Sequence, residues 1–333
     1  MVDVVKIVTK NLLIGGVAIL IAGAGLKPSL ILAKTETPVE QHFVKNSTKV
    51  ASSQKNQFQL LNPGTGARQQ LRFKPKVNAQ QAIVMTMDMD MAMSVSGQPV
   101  PTFKSPGMAI TLQAKVTKVD SNGDIHYEFS YTNVDVVGNS NLPPQVLQAM
   151  QSKIKELSRI KGSGIVDSRG NNKKLNLSIP QDLDPYMKQT LQQMSKSFEE
   201  LSTPVPQEAV GLGAQWRVAS NLNINGMNLK QIATYELVNL KDGVATLALN
   251  VEQQVPASQK IDIPGMPPGN TFTIKSYTGT GQGETTVMLN KVLPIRSTMN
   301  VRNSLEMVGK TPNSPEETTI NQKLSMKLST TSK

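Results

Sequence analysis

From Leu71 onward the dominant period of the chain is two. Ile83, Met85, Met87, Met89, Met91, Met93 and Val95 fall on one face, and Val84, Thr86, Asp88, Asp90, Ala92 and Ser94 on the other. A strand of this length, at ~3.3 Å per residue, spans about 40 Å and predicts a long, curved sheet. Met108, Ile110, Leu112, Ala114 and Val116 alternate next, and Ile125, Tyr127, Phe129 and Tyr131 alternate after Asn122-Gly123. An Asn-Gly pair between two alternating runs is a hairpin signal.

The period then changes. Pro143-Pro144 opens a segment with Leu147, Met150, Ile154 and Leu157 on one stripe, which predicts a helix over 143–161. Asp184-Pro185 opens a second, with Met187, Leu191, Met194, Phe198 and Leu201 at helical spacing over 184–202. Between them, residues 165–170 and 175–179 read as a hairpin. A second β-rich block starts at Gly211, turns at Asp242-Gly243, and continues with strands near 287–295, 298–307 and 320–328. The two turns lie 120 residues apart, and each block carries a Gly-rich passage, Gly162-Ser-Gly164 and Gly279-Thr-Gly281-Gln-Gly283. That spacing predicts an internal duplication, with the Pro/Gly loop 256–269 where the first block has its long helix. The expected fold is therefore β-rich α+β: two related curved antiparallel sheets, with two helices packed against them.

Domain limits follow from composition. Lys6 and Lys10 precede a charge-free run from Asn11 to Leu26 that is broken by Lys27-Pro28. Its apolar part is shorter than the ~20 residues of a membrane span, so residues 1–33 read as a signal peptide, with an uncleaved N-terminal anchor at 11–26 as the alternative. The expected location is periplasmic or extracellular, tethered to the membrane in the second case. Residues 34–68 lack periodicity and read as a disordered linker. The first β-rich domain is then expected at 69–206 and the second at 207–333.

Charge and chemistry narrow the functional classes. The 333 residues include no Cys and two His, which removes disulfides, thiol chemistry and Cys-ligated metals. Net charge is +11, but the lysines are dispersed and aromatics make up 4%, which argues against base-stacking nucleic-acid modules. Asp88 and Asp90 lack the further oxygen ligands of a calcium site and read as a solvated face. The Asp120–Asp124 stretch departs from an EF-hand loop, with Ile125 where glycine is needed and Tyr131 where glutamate is needed. The Ser-x-x-Lys pairs at 52, 152 and 158 lack partner motifs. His126 has no neighbour in sequence that suggests catalysis. An outer-membrane barrel is disfavoured by the scarcity of aromatics and by the two helices.

The five alternate methionines, Met85, Met87, Met89, Met91 and Met93, are the candidate ligand-binding residues, a pliable apolar wall for a lipid or other apolar ligand. The alternatives are a packed core strand and a Cu(I) site. Alternate residues stand ~6.6 Å apart, which keeps neighbours from converging on one ion.

Residues Pro204 through Trp216, with Ile165–Gly170 before them, resemble a bacterial exported family of unknown function. Its members begin with a Met/Thr-rich alternating strand similar to Ala82–Val95 and continue with a hairpin similar to Met108–Tyr131. The resemblance covers about residues 69–330 and implies no catalytic residues. A looser similarity, in strand–strand–strand–helix order, is to periplasmic lipoprotein carriers, which implies a curved sheet that holds acyl chains. The expectation is a non-enzymatic exported protein that binds an apolar or amphiphilic ligand and needs neither cofactor nor metal. The alternative is a structural or interaction module of the cell envelope with no small-molecule ligand.

Overall fold

A computed structural model of the chain describes residues 57–100, 106–138, 144–183, 188, 204–224, 227–261, 269–310 and 317–333. The expectations for residues 1–33, and for the second helix at 184–202 apart from Lys188, lie outside the described residues. So does half of the expected 256–269 loop, residues 262–268.

Two short strands come first, β1 (Gln57–Asn62) and β2 (Thr65–Gln69). They occupy the end of the stretch expected to be a linker. Its polar composition hides Phe58 and Leu60, which alternate on β1 and pack against the core. The methionine strand is β3 (Gln80–Val95), and a two-residue turn with positive φ at Ser96 and Gly97 links it to β4 (Gln98–Pro99). The expected hairpin is β5 (Gly107–Val119) with β6 (Ile125–Val137). Next come helix α1 (Pro144–Lys155), a single 3₁₀ turn at Glu156–Arg159, β7 (Lys161–Val166) and β8 (Asn172–Ser178). The expected stripe of α1 is the one that faces inward: Leu147 and Met150 are half-buried and Ile154 is buried.

The remaining strands are β9 (Val210–Leu212), β10 (Gln215–Ile224), β11 (Met227–Lys241), β12 (Val244–Gln254), β13 (Lys260–Ile261), β14 (Thr271–Met288), β15 (Arg296–Lys310) and β16 (Thr318–Ser332). The Asp242-Gly243 turn is as expected, both residues having positive φ. The strand expected over 287–295 is instead the end of β14 followed by a turn. There Gln81 reaches across to bond the main chain of Leu293 from both its amide oxygen and its amide nitrogen.

The two expected sheets are one. Strand order is β1-β10-β11-β12-β14-β15-β16-β3-β5-β6-β7-β8, antiparallel throughout, with β13 and β4 as short additions and β2-β9 as a separate pair. The seam is β16 against β3, a register that runs unbroken from Ile320↔Val95 to Ser332↔Ile83. Each block would otherwise leave a long strand with an unpaired edge, and pairing those edges removes both. Strand pairing therefore crosses the expected division at residue 206.

At residues 279, 281 and 283 the inward positions of β14 are glycine. A Cβ at Gly283 would lie 2.1 Å from the Thr298 carbonyl oxygen, so no side chain fits there. At Gly281 it would only touch Val251 and Val301 at 3.4 Å. With no side chains rising from β14 at these positions, residues of β10–β12 and of β15, β16 and β3 join in one core. In β7 the logic is similar. Gly162 and Gly164 lie opposite Phe129 and Tyr127 and leave room for their rings.

The far ends of the sheet also meet. Phe73 N donates to Ser168 O at 2.7 Å and Val205 N to Arg169 O at 2.9 Å, and the Arg169 guanidinium lies 5.2 Å above the ring of Phe58. The β7–β8 turn thus reaches β1, while no strand pairing joins β8 to β1 among the described residues, so the roll is not a closed barrel.

Candidate functional site

The two faces of β3 have separate fates. On the inward face, Met85 and Met87 pack in a core with Trp216, Tyr235, Leu247, Met299 and Leu328. Met93 belongs to a second core with Phe272, Ile274 and Met307. Met89 and Met91 lie between and are half-buried. The structure therefore keeps the five methionines on one face but divides them between two cores and the belt that separates these.

That belt is polar. Gln253 Nε2 donates to Gln231 Oε1 at 2.8 Å, and the Tyr277 hydroxyl donates to Gln253 Oε1 at 3.0 Å. Burial pushes the Tyr277 phenol up, against an opposing hydrogen bond from Asn303, so it stays protonated and donating at neutral pH. Gln322 Nε2 approaches Met91 Sδ at 3.1 Å. Each amide in this belt finds a partner, as buried polar groups must.

The interior void lined by Phe73, Trp216, Tyr235, Leu247 and Val292 measures about 60 Å³. Ligand pockets run to ~300–1,000 Å³. Trp216 is fully buried, stacks on Tyr235 with ring centroids 5.6 Å apart, and donates Nε1–H to Pro204 O at 3.1 Å.

The opposite face of the same strands carries a groove of about 630 Å³. Register places two cross-strand rows in it. One is Asp90–Ser325–Arg302–Thr280, the other Ala92–Lys323–Ser304–Thr278, all of them exposed. Met91, Asn303 and Leu324, which alternate with these rows, complete the lining. At ~4.8 Å per strand the four strands span roughly 14 Å. Ser325 is the centre of a charge pattern: Arg302 and Asp90 flank it on neighbouring strands, and Lys323 and Lys327 stand two residues to either side. Diagonal neighbours of this kind are ~7–8 Å apart. Among the described residues neither Arg302, Lys323 nor Asp90 makes an ion pair. Asp90, read from sequence as part of a solvated face, is thus a wall of this groove.

His126 has a partner that sequence reasoning missed. Its Nε2 lies 2.6 Å from Asp120 Oδ2, and Lys118 Nζ lies 2.7 Å from Asp120 Oδ1. These two hydrogen bonds, Lys118's the stronger, hold the Asp120 carboxyl below the usual carboxylate range. The pair spans the β5–β6 turn, which the Asp120 N to Asp124 O bond closes at 2.8 Å. Asp124 is engaged by Asn122 and Lys173. This is a turn braced by charges, and no group of three or more Asp, Glu or His suited to a metal occurs among the described residues.

Comparison with known proteins adds a family for one stretch. Residues 180–292, about a third of the chain, match the model of a family described as Family of unknown function (DUF6263). An uncharacterised family is what the sequence resemblance implied, here over β9 to β14 and not over 69–330. Thr278 and Thr280 fall inside the match, whereas Asp90, Arg302 and Lys323 fall outside it. No curated protein matches the chain. Among solved structures, OpdQ of Pseudomonas aeruginosa shares 7% identity over 77% of this chain and 100% of its own, with a TM-score of 0.22. A loop L8 deletion mutant of OmpT, an outer membrane protein of Vibrio cholerae, shares 6% over 75% and 100%, with a TM-score of 0.20. At those scores the likeness carries no argument about the fold. It does not run to the lipoprotein carriers that strand order suggested.

Proposed function

We propose that this chain is an exported, non-enzymatic module of the cell envelope that works through the exposed face of its sheet and encloses no small-molecule ligand. The observation that carries the reading is the distribution of space, about 60 Å³ inside the roll against about 630 Å³ on the polar face. A lipid-facing barrel wall is a poor fit to the same surface, because Asp88, Asp90, Arg302, Lys323 and Lys327 project where such a wall needs an apolar band. Export rests on the apolar run 11–26 behind Lys6 and Lys10, and the basic balance suits an anionic envelope.

The test has two parts. Cell fractionation places the protein outside the cytoplasm, and accumulation in the cytoplasm sinks the export reading. Organic extracts of the purified protein carry no stoichiometric lipid by mass spectrometry, and a fluorescent fatty acid is not taken up. A lipid found at one per chain favours a second reading, an amphiphile held against Met89 and Met91, which alone of the five are half-buried.

A further inference from the structure

The groove on the polar face has a composition that selects among ligands. Its walls offer four hydroxyls, from Ser304, Ser325, Thr278 and Thr280, two cations, Arg302 and Lys323, and one carboxylate, Asp90. No aromatic side chain lines it. An acyl chain finds Met91, Ala92 and Leu324 in the lining, but laid along them it also covers Asp90, Arg302 and Lys323 and offers these charged groups no partner. A single-stranded nucleic acid finds no stacking platform, and its phosphates meet Asp90. A ligand matched to all the walls carries hydroxyl donors for Asp90, hydroxyl acceptors for the Ser and Thr rows, and a fixed negative charge for Arg302 and Lys323.

We propose that the groove binds a segment of an acidic polysaccharide, a hydroxyl-rich chain bearing carboxylates. This deepens the surface reading above and names the chemistry of its partner. The carboxylate of the glycan sits over Ser325, between Arg302 and Lys323, which lie on adjacent strands one diagonal step apart. Arg302 takes it through its planar fork and Lys323 as a point charge. A sugar hydroxyl donates to Asp90 across the same row. Four strands give a span of roughly 14 Å, room for two to three sugar rings laid across the sheet.

The experiment measures binding of fluorescently labelled oligogalacturonate to the purified full-length protein by polarisation. Neutral dextran oligomers of equal length and phosphatidylglycerol vesicles are the comparison ligands. Oligogalacturonate binds, and weakens as salt rises, while dextran and vesicles do not. Arg302→Ala and Lys323→Ala each weaken it about tenfold, the scale of one charge-assisted hydrogen bond. Lys241→Ala, an exposed lysine at the β11–β12 turn, leaves it unchanged. Asp90→Ala separates the glycan from a bare anion. It weakens oligogalacturonate, whereas removal of a negative charge strengthens a ligand recognised by charge alone. Any of four results overturns the proposal: no binding of oligogalacturonate, equal binding of dextran, capture of vesicles in its place, or tighter binding by Asp90→Ala. Circular dichroism and thermal melts of the variants, all at exposed positions, separate lost binding from lost folding. A protein that binds no glycan and carries no lipid removes this ligand but leaves the surface reading; a protein that carries lipid removes both.

Discussion

Strands β3, β14, β15 and β16 are one residue thick, and their two faces stand in contrast. Inward, Met85, Met87, Met299 and Leu328 interlock around Trp216, and Gly279, Gly281 and Gly283 surrender volume so that neighbouring strands can close over them. Outward, the residues between these form a concavity about ten times larger than the void inside. In the feature that looks most like a site in the sequence, the methionine row, Met85, Met87 and Met93 pack into cores, while Asp88, Asp90 and Ala92 of the row it alternates with are exposed.

The contrast breaks most visibly at Trp216. Trp216→Ala removes a fully buried indole, its stack on Tyr235 and a hydrogen bond to Pro204, and leaves the roll destabilised by about 3–5 kcal/mol in urea unfolding. A loss under 1 kcal/mol means that the core collapses around the gap and is less tightly packed than argued. Met87→Ala comes next, at about 2–3 kcal/mol, because Met87 is buried in the same cluster. Met89→Ala, half-buried, costs clearly less. Equal losses at the two positions dissolve the distinction between packed and half-buried methionines.

Glycine positions give a finer test on a single strand. Gly283→Ala sets a methyl 2.1 Å from the Thr298 carbonyl oxygen and forces β14 and β15 apart, at about 1–3 kcal/mol. Gly281→Ala, two residues away on the same face, meets side chains only at 3.4–3.5 Å and stays within about 0.5 kcal/mol. If both are neutral, the close approach of β15 is not what requires glycine at 283.

Much of this was legible in the sequence, and the reasons for the remainder are physical. The alternation at 83–95, the Asp242-Gly243 turn and the stripe of α1 are local patterns, set by backbone geometry within a few residues. The pairing of β16 with β3 is not local. It joins residues more than 200 positions apart, and only the removal of two exposed edges selects it. The same distance hid the groove, since Asp90, Ser325, Arg302 and Thr280 come from four strands and no window along the chain contains them together. The glycines of β14 stood out in the sequence as a Gly-rich passage, but the role of Gly283 depends on Thr298, which the sequence does not place beside it. Phe58 and Leu60 were lost in polar surroundings, and Asp120 with His126 was missed because the partners meet only across a turn.

The smallest effects belong to the outer face and the turn. Lys323→Ala removes an exposed side chain without an ion pair, and its stability stays within about 0.5 kcal/mol of the parent, so that any lost binding is a property of the groove. Asp120 offers a matching test by pH. Its carboxyl is held below the ordinary range by Lys118 and then His126, so the folded state favours the ionised form. The resulting contribution is present above the unfolded carboxylate pKa and fades as pH falls through the lower folded value. The carboxylate is half-buried but still meets solvent, so screening keeps the global effect slight, and the readout is local. Amide exchange at Gly123 and Asp124 accelerates in Asp120→Asn relative to the parent at neutral pH, and the difference closes under acid. No difference at neutral pH assigns the bracing to the backbone bond from Asp120 N to Asp124 O, which the variant keeps, and not to charge. The turn is then held as the inner face is, by geometry and not by this carboxylate.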